Sequence, residues 1–289
     1  MTSFLFSRSF LICKLSFSYS EYDSILDKSV SELMKTRFLI RRLRHCACLI
    51  SASVLIASVF VSGAVSVRAQ QRLSKRYPVG KNVRIELKNI SGTITVESWN
   101  RDEIRLTATM ESPTAHIVPK QTDECLVVDV MADNRGRGDV GDVNFKLQVP
   151  VNSSVDLETR RGQINVSNIR GASVRAHVSS EGDIELSNVT ASQVIAQNTI
   201  GNIFFDGEFS RGGTYEFKST KGDITVRIPG DSAFRLVAAS SARKIAIGPF
   251  WNNGFKALGD GRKYVGDVGD GRSSVSVTTF SGTITFMRR

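Results

Sequence analysis

The chain has 289 residues, of which 41% are hydrophobic and 23% are charged, a globular composition that excludes general disorder and a collagen-like structure. Its 38 Lys and Arg residues outnumber its 28 Asp and Glu residues, which gives a net charge of +10. Residues 1–69 contain nine of the basic and four of the acidic residues, so half of this excess lies at the N-terminal end. The charge therefore does not indicate a nucleic-acid-binding protein.

The first feature along the chain is an export signal. Residues 46–67 are uncharged, follow a basic stretch that begins at Lys35, and lead to small residues ending at Ala69. A basic region, an apolar region and a cleavage site in this order are typical of a secretory signal peptide. Because a span of about 20 apolar residues can also cross a bilayer, an uncleaved anchor helix is the alternative. In both cases the basic residues predict that residues 70–289 are exported.

The signal divides the chain into three parts. Met34 starts a complete signal by itself, so residues 1–33 are interpreted as an over-extended N-terminus. Residues 34–69 form the signal peptide or membrane anchor, and residues 70–289 form a β-repeat domain. The predicted location is the bacterial periplasm, cell envelope or cell surface. Cys125 is the single cysteine after the cleavage site, so no disulfide can form within the mature chain.

The exported part contains a repeat of about 20 residues. Its most regular element is Gly-x-Ile followed, one residue later, by another apolar residue. The glycines are Gly92, Gly162, Gly182, Gly201, Gly222 and Gly282, and the isoleucines are Ile94, Ile164, Ile184, Ile203, Ile224 and Ile284. A second run of alternating apolar residues precedes each glycine, so each unit contains two short strands with one buried and one solvent-facing side.

A repeat of this kind predicts an all-β, stacked solenoid similar to a β-helix, because one unit cannot bury its apolar side chains alone. Eleven units would fill residues 70–289, in a stack of roughly 50 Å at about 4.8 Å per unit. The 60 residues from Gly222 to Gly282 would hold three of these units. Residues 249–272 are predicted to form a long loop. The alternative is an antiparallel β-sandwich with the same number of strands.

The turn after the repeat glycine also recurs. Asn168 and Asn188 lie 20 residues apart in equivalent Ser-Asn-apolar sequences. In a stack they would lie one above the other and could form an amide ladder. The simpler interpretation is that asparagine is a favourable turn residue.

These sequences resemble a known family. The segments Ser91-Gly-Thr-Ile-Thr-Val and Gly271–Phe286, together with the central glycine repeats, are similar to DUF4097 proteins over about residues 79–289. The resemblance implies an exported β-repeat protein of undetermined biochemical activity, with an adhesin-like or envelope-associated role. It supplies no catalytic residues.

Residues with catalytic potential are few in the exported part. His116 and His177 are its two histidines, which leaves little material for a Ser-His-Asp triad or a histidine metal site. Asp183 and Asp223 occupy the same repeat position two units apart, about 9.6 Å in a stack, near the upper limit for an inverting glycosidase. An aspartate after glycine is more often a turn cap, and this interpretation is preferred.

No cofactor or metal is predicted. The Gly/Asp runs at residues 138–142 and 266–270 could supply oxygen ligands for Ca²⁺. However, they lack the tandem nine-residue pattern of calcium-binding β-rolls, so they are interpreted as turns.

The sequence therefore predicts a non-enzymatic exported protein that binds an envelope polymer, a glycan or a protein surface. Membrane contact is expected only through residues 46–67 if they stay uncleaved, nucleic acid is not an expected partner, and the end units could self-associate. One alternative is a carbohydrate-active β-helix enzyme that uses Asp183 and Asp223. Another is a membrane-tethered envelope stress sensor or scaffold.

Overall fold

The computed structural model describes residues 71–112, 115–122 and 124–289. Residues 1–69, including the predicted signal peptide or anchor helix, lie outside them. Among the described residues, no helix combines the length and the apolar character needed to cross a membrane.

Short β-strands make up most of the described chain. One-turn helices occur at Val130–Asp133 (α) and Gly248–Phe250 (3-10). The strands are β1 (Gln71–Pro78), β2 (Arg84–Ser91), β3 (Ile94–Trp99), β4 (Glu103–Met110), β5 (Lys120–Gln121), β6 (Cys125–Asp129), β7 (Val143–Pro150), β8 (Ser154–Arg161), β9 (Ile164–Ser167), β10 (Ser173–Glu181), β11 (Ile184–Ile200), β12 (Ile203–Lys221), β13 (Ile224–Ile228), β14 (Phe234–Ser240), β15 (Ile245–Ala246), β16 (Lys256–Leu258), β17 (Lys263–Val268), β18 (Ser273–Ser281) and β19 (Ile284–Arg288).

The strands pair in two rows. Row 1 has the order β6, β2, β8, β10, residues 193–200 of β11, residues 214–221 of β12, β18 and β14, and every neighbouring pair is parallel. Row 2 has the order β7, β3, β9, residues 184–187 of β11, residues 203–206 of β12, β13, β19 and β15, again all parallel. This arrangement confirms the stacked solenoid and excludes the antiparallel sandwich.

Each coil consists of one row 1 strand and the row 2 strand that follows it. Eight coils can be counted along the two rows, so the stack rises about 34 Å over seven steps of about 4.8 Å. The prediction of eleven units was therefore wrong. The missing units are accounted for by antiparallel strands at the two ends of the stack. At one end, β4 and then β1 extend row 2 beyond β7. At the other end, β17 and then β16 extend row 1 beyond β14.

The coils do not stack in chain order. The first coil, β2 and β3, lies between the β6–β7 coil and the β8–β9 coil. The last coil, β18 and β19, lies between the β12–β13 coil and the β14–β15 coil. The segment between Gly222 and Gly282 thus holds one complete coil, β14–β15, and the β16–β17 hairpin, not the three units in sequence that were expected. Residues 249–272, predicted as a long loop, contain β16 and β17.

The core lies between the two rows because every second side chain points inward. The Leu87, Val96, Leu157 and Val166 side chains are almost completely buried and belong to one continuous apolar cluster. Towards the C-terminal coils the core becomes aromatic, where Phe205 packs 5.1 Å from Phe217 between ring centroids. Alternating burial therefore leaves one regular, solvent-facing surface on each row.

Candidate binding surface

The repeat glycines form a column in which consecutive coils touch through their backbones. A Cβ atom built on Gly182 would lie 1.9 Å from the carbonyl oxygen of Gly162, and one on Gly222 would lie 1.8 Å from that of Gly201. Gly182 and Gly222 also have φ of +153°, a conformation that side chains disfavour. Close stacking therefore requires glycine at this corner. Two residues further on, the repeat isoleucines Ile94, Ile164, Ile184, Ile203, Ile224 and Ile284 are at most 1% exposed.

A column of buried polar side chains supports these glycines, and the sequence analysis missed it. Ser219 Oγ donates a hydrogen bond to the Gly201 carbonyl (3.2 Å), and Thr279 Oγ1 donates to the Gly222 carbonyl (3.0 Å). Asn198 Nδ2 likewise donates a hydrogen bond to the Gly182 carbonyl (3.2 Å). The signal was present, because a polar residue stands three positions before each of the six glycines, and five of these residues are buried. The five buried residues are Asn89, Thr159, Asn198, Ser219 and Thr279.

Asp183 and Asp223 occupy the next column, with Asn202 between them. Asp183 Oδ1 accepts the Asn202 backbone N–H at 2.7 Å, and Asn202 Oδ1 accepts the Asp223 backbone N–H at 2.9 Å. Asp223 Oδ1 accepts the Thr283 backbone N–H at 2.7 Å. Each side chain thus caps the turn of the neighbouring coil, which gives the two aspartates a structural role.

Asn168 and Asn188 form the predicted amide contact. Asn188 Nδ2 donates to Asn168 Oδ1 at 2.8 Å. Both backbones adopt the left-handed conformation, with φ of 54° at Asn188 and 60° at Asn168. In the next coil, Asp206 is in register with Ser187, the residue before Asn188. Asp206 is buried and lies 2.7 Å from Arg227 Nη2 and 3.3 Å from Arg289 Nε. The hydrogen bond to Asp206 raises the pKa of Arg227. This column is therefore held by side chains and is not free for a ligand.

The outer side of row 1 carries an open cleft of about 490 Å³. Its walls include Arg84, Asp156 and Arg175, with Ile195 and Gln197 beyond them. Asp156 lies 3.6 Å from Arg175 and 3.9 Å from Arg84, in partly exposed ion pairs. Such pairs contribute only about 0–1 kcal/mol each, so a polar ligand could replace them at small cost. The cleft is suited to contact a surface of mixed charge.

Both Gly/Asp runs are engaged with protein groups. Asp142 accepts a hydrogen bond from the Ser91 hydroxyl, and Asp139 Oδ1 accepts from the Gly141 N–H at 3.0 Å. In the second run, Asp267 pairs with Arg235 at 2.8 Å, and this hydrogen bond lowers the pKa of Asp267. Within the described ranges, no three His, Cys, Asp or Glu side chains converge as a metal site.

Comparison with solved structures identifies bacterial proteins of low sequence identity. A proposed cell adhesion protein from Clostridium sporogenes ATCC 15579 is 13% identical, with 76% of this chain and 100% of that chain covered and a TM-score of 0.48. A proposed adhesin from Bacteroides fragilis NCTC 9343 is 11% identical, with coverage of 77% and 99% and a TM-score of 0.37.

The search of curated proteins gives no match. The profile of the family described as Toastrack DUF4097 matches residues 78–286, which span the coils from the end of β1 to β19. This range contains all six repeat glycines and the buried polar residues that support them. The chain therefore belongs to the DUF4097 (Toastrack) family, as the resemblance of its repeats implied.

Proposed function

We propose that this chain is exported and acts without catalysis, as a binding or scaffold protein of the bacterial envelope or cell surface. The observation that carries the proposal is the cleft on row 1, where exposed charged side chains lie on a backbone fixed by the glycine column. A rigid array of this kind presents polar groups at constant spacing, which favours contact with an extended surface. The expected partners are glycans, envelope polymers or other proteins.

The non-enzymatic part of the proposal is supported by the roles of the aspartates. Asp183 and Asp223 each accept a backbone N–H from the following coil, so their position in the repeat has an explanation that does not require catalysis.

Binding can be tested with protein purified after export and incubated with envelope fractions. Sedimentation would measure how much protein is retained, and the same fractions would be assayed for released sugars. The variant Arg84→Gln/Arg175→Gln removes the positive charges of the cleft, and Lys146→Gln is the control, because Lys146 is an exposed ion-paired cation on row 2. We expect retention to fall only in the cleft variant. If both variants are retained as well as the unchanged protein, or if sugars are released, the proposal is contradicted.

Export directed by residues 34–69 belongs to the same proposal. These residues lie outside the described part of the chain, so export has to be tested by experiment. The mass and N-terminal sequence of the protein recovered from the producing cell distinguish the two forms. A mature protein that begins at Gln70 supports a cleaved signal. A protein that retains residues 46–67 and remains with membranes supports the tethered form, and an unprocessed cytoplasmic protein contradicts export.

A further inference from the structure

A second cleft on row 1 differs in charge from the first. It has a volume of about 290 Å³ and lies near the C-terminal end of the stack, between β12, β18, β14 and β17. Its lining includes the exposed cations Lys218, Arg262 and Lys263 and the Phe280 side chain, which is 65% exposed. The rest is small: Ala239 and hydroxyl residues.

The strand register explains why a trough forms here. Lys218 pairs with Thr278, Thr278 with Ala239, and Ala239 with Lys263. All four side chains point outward from row 1, but Thr278 and Ala239 are short and half-buried. Three strand steps of about 4.8 Å place the two lysines about 14 Å apart, one at each end. Two long cations thus enclose a floor of small residues.

The positive charge of this cleft is not balanced locally. In the parts of the chain that the structure describes, no carboxylate lines the cleft, and none forms an ion pair with Lys218, Arg262 or Lys263. The nearby acids are engaged elsewhere: Glu216 accepts a hydrogen bond from Gln197 at 2.9 Å, and Asp260 lies 3.8 Å from Arg243. Three uncompensated cations around one trough favour an anionic ligand.

The hydroxyl groups divide into two sets. Those of Ser219 and Thr279 are buried and donate to glycine carbonyls, as does Ser240 to Gly282 at 3.1 Å, so they stabilise the floor. The Thr220 and Ser241 residues lie at the exposed rim. A ligand at this rim would therefore meet cations, hydroxyls and one aromatic ring.

We propose that this trough binds an acidic polysaccharide, a glycan chain with a carboxylate on successive sugars. A single phosphate or carboxylate cannot contact cations about 14 Å apart at the same time, whereas a chain with repeated anions can. The exposed ring of Phe280 offers an apolar face for a sugar. Binding of single-stranded nucleic acid usually relies on several stacking aromatic residues, and this trough has one. This inference rests on the proposed function and specifies its ligand.

The test uses the purified exported protein and a polygalacturonate oligosaccharide, with binding measured by calorimetry at low and physiological salt. The same oligosaccharide with methyl-esterified carboxylates is the uncharged control, and an oligothymidylate of similar charge tests nucleic acid. The variant is Lys218→Gln/Lys263→Gln. Its matched control is Lys88→Gln, because Lys88 lies on β2, in the row 1 column that also contains Lys218, but outside the trough. Circular dichroism verifies that each variant is folded.

We expect the acidic oligosaccharide to bind, the methyl ester not to bind, and affinity to fall as salt rises. The double variant should bind about tenfold more weakly, since two exposed ion pairs are lost, while Lys88→Gln should be unchanged. Absence of binding, equal losses in both variants, equal binding of the ester, or preference for oligothymidylate overturns the inference. If envelope retention persists in the double variant while acidic oligosaccharide binding is absent, this inference fails and the proposed function stands.

Discussion

Replacing Gly182 by alanine should destabilise the protein severely, because the new Cβ would lie 1.9 Å from the Gly162 carbonyl oxygen. Side-chain Cβ atoms essentially never approach closer than 3.0 Å, so the two coils must move apart by about 1 Å at this corner. Two hydrogen bonds between these coils would then lengthen: Gly162 N–H to the Glu181 carbonyl (2.9 Å) and Ile164 N–H to the Asp183 carbonyl (3.0 Å).

The cost can be estimated from two contributions. Holding a residue with a side chain at φ of +153° costs roughly 1–3 kcal/mol, and two weakened backbone hydrogen bonds cost about 1 kcal/mol each. The sum is about 3–5 kcal/mol, a large part of the roughly 5–15 kcal/mol that stabilises a typical domain. Urea unfolding followed by circular dichroism would measure the decrease in unfolding free energy.

Two other glycines separate strain from stacking. Gly212 has φ of +74° but no atom within 4 Å of the added Cβ, so Gly212→Ala should cost only about 1–2 kcal/mol. Gly80 has neither constraint, and Gly80→Ala should change stability by less than about 0.5 kcal/mol. If Gly182→Ala proves no more destabilising than Gly212→Ala, contact between coils does not explain the glycine column.

Substitutions at three further positions test other features. Thr279→Val should lower the unfolding free energy by about 1–2 kcal/mol in urea, because the Gly222 carbonyl loses a buried donor; no change would contradict the supporting role. Asp223→Asn should keep the cap on Thr283 and leave stability within about 0.5 kcal/mol, whereas Asp223→Ala should cost about 1 kcal/mol; equal effects would disprove capping. Burial raises the pKa of Tyr215, so folding should be weakened as pH rises above about 10, where unfolded tyrosine ionises first. The decrease in unfolding free energy between a pH below about 10 and a pH above it should be smaller in Tyr215→Phe. Urea unfolding at the two pH values would measure it.

The repeat could be predicted from sequence because one geometric requirement recurs at each coil. The glycine at the corner and the isoleucine two residues later stand in a fixed spacing, and both positions are dictated by contact with the neighbouring coil. The Asn168–Asn188 contact was predictable for the same reason, since equal positions in a parallel stack are superposed. Alternating apolar residues gave the strands on both rows.

Coil order and number could not be predicted, because the periodic pattern specifies a strand and its inward face but not its neighbour. The β2–β3 coil pairs with β6–β7 along one edge and with β8–β9 along the other. Its repeat pattern does not distinguish these neighbours, so its place in the stack depends on the connections between the coils. The trough at Lys218 was also hidden: its two ends are 45 positions apart in sequence (218 to 263) and meet only through the register of β18 and β14.

The displaced final coil has a consequence for how the domain is completed. Residues 273–288 follow both of their neighbouring layers in the sequence, yet they fill the position between those layers. Until they are in place, β14 has no parallel partner in row 1, and Phe234 lacks its contact with Phe286. Removing this segment would therefore open a gap within the stack instead of shortening its tip, and folding from one end to the other cannot be a simple addition of successive layers.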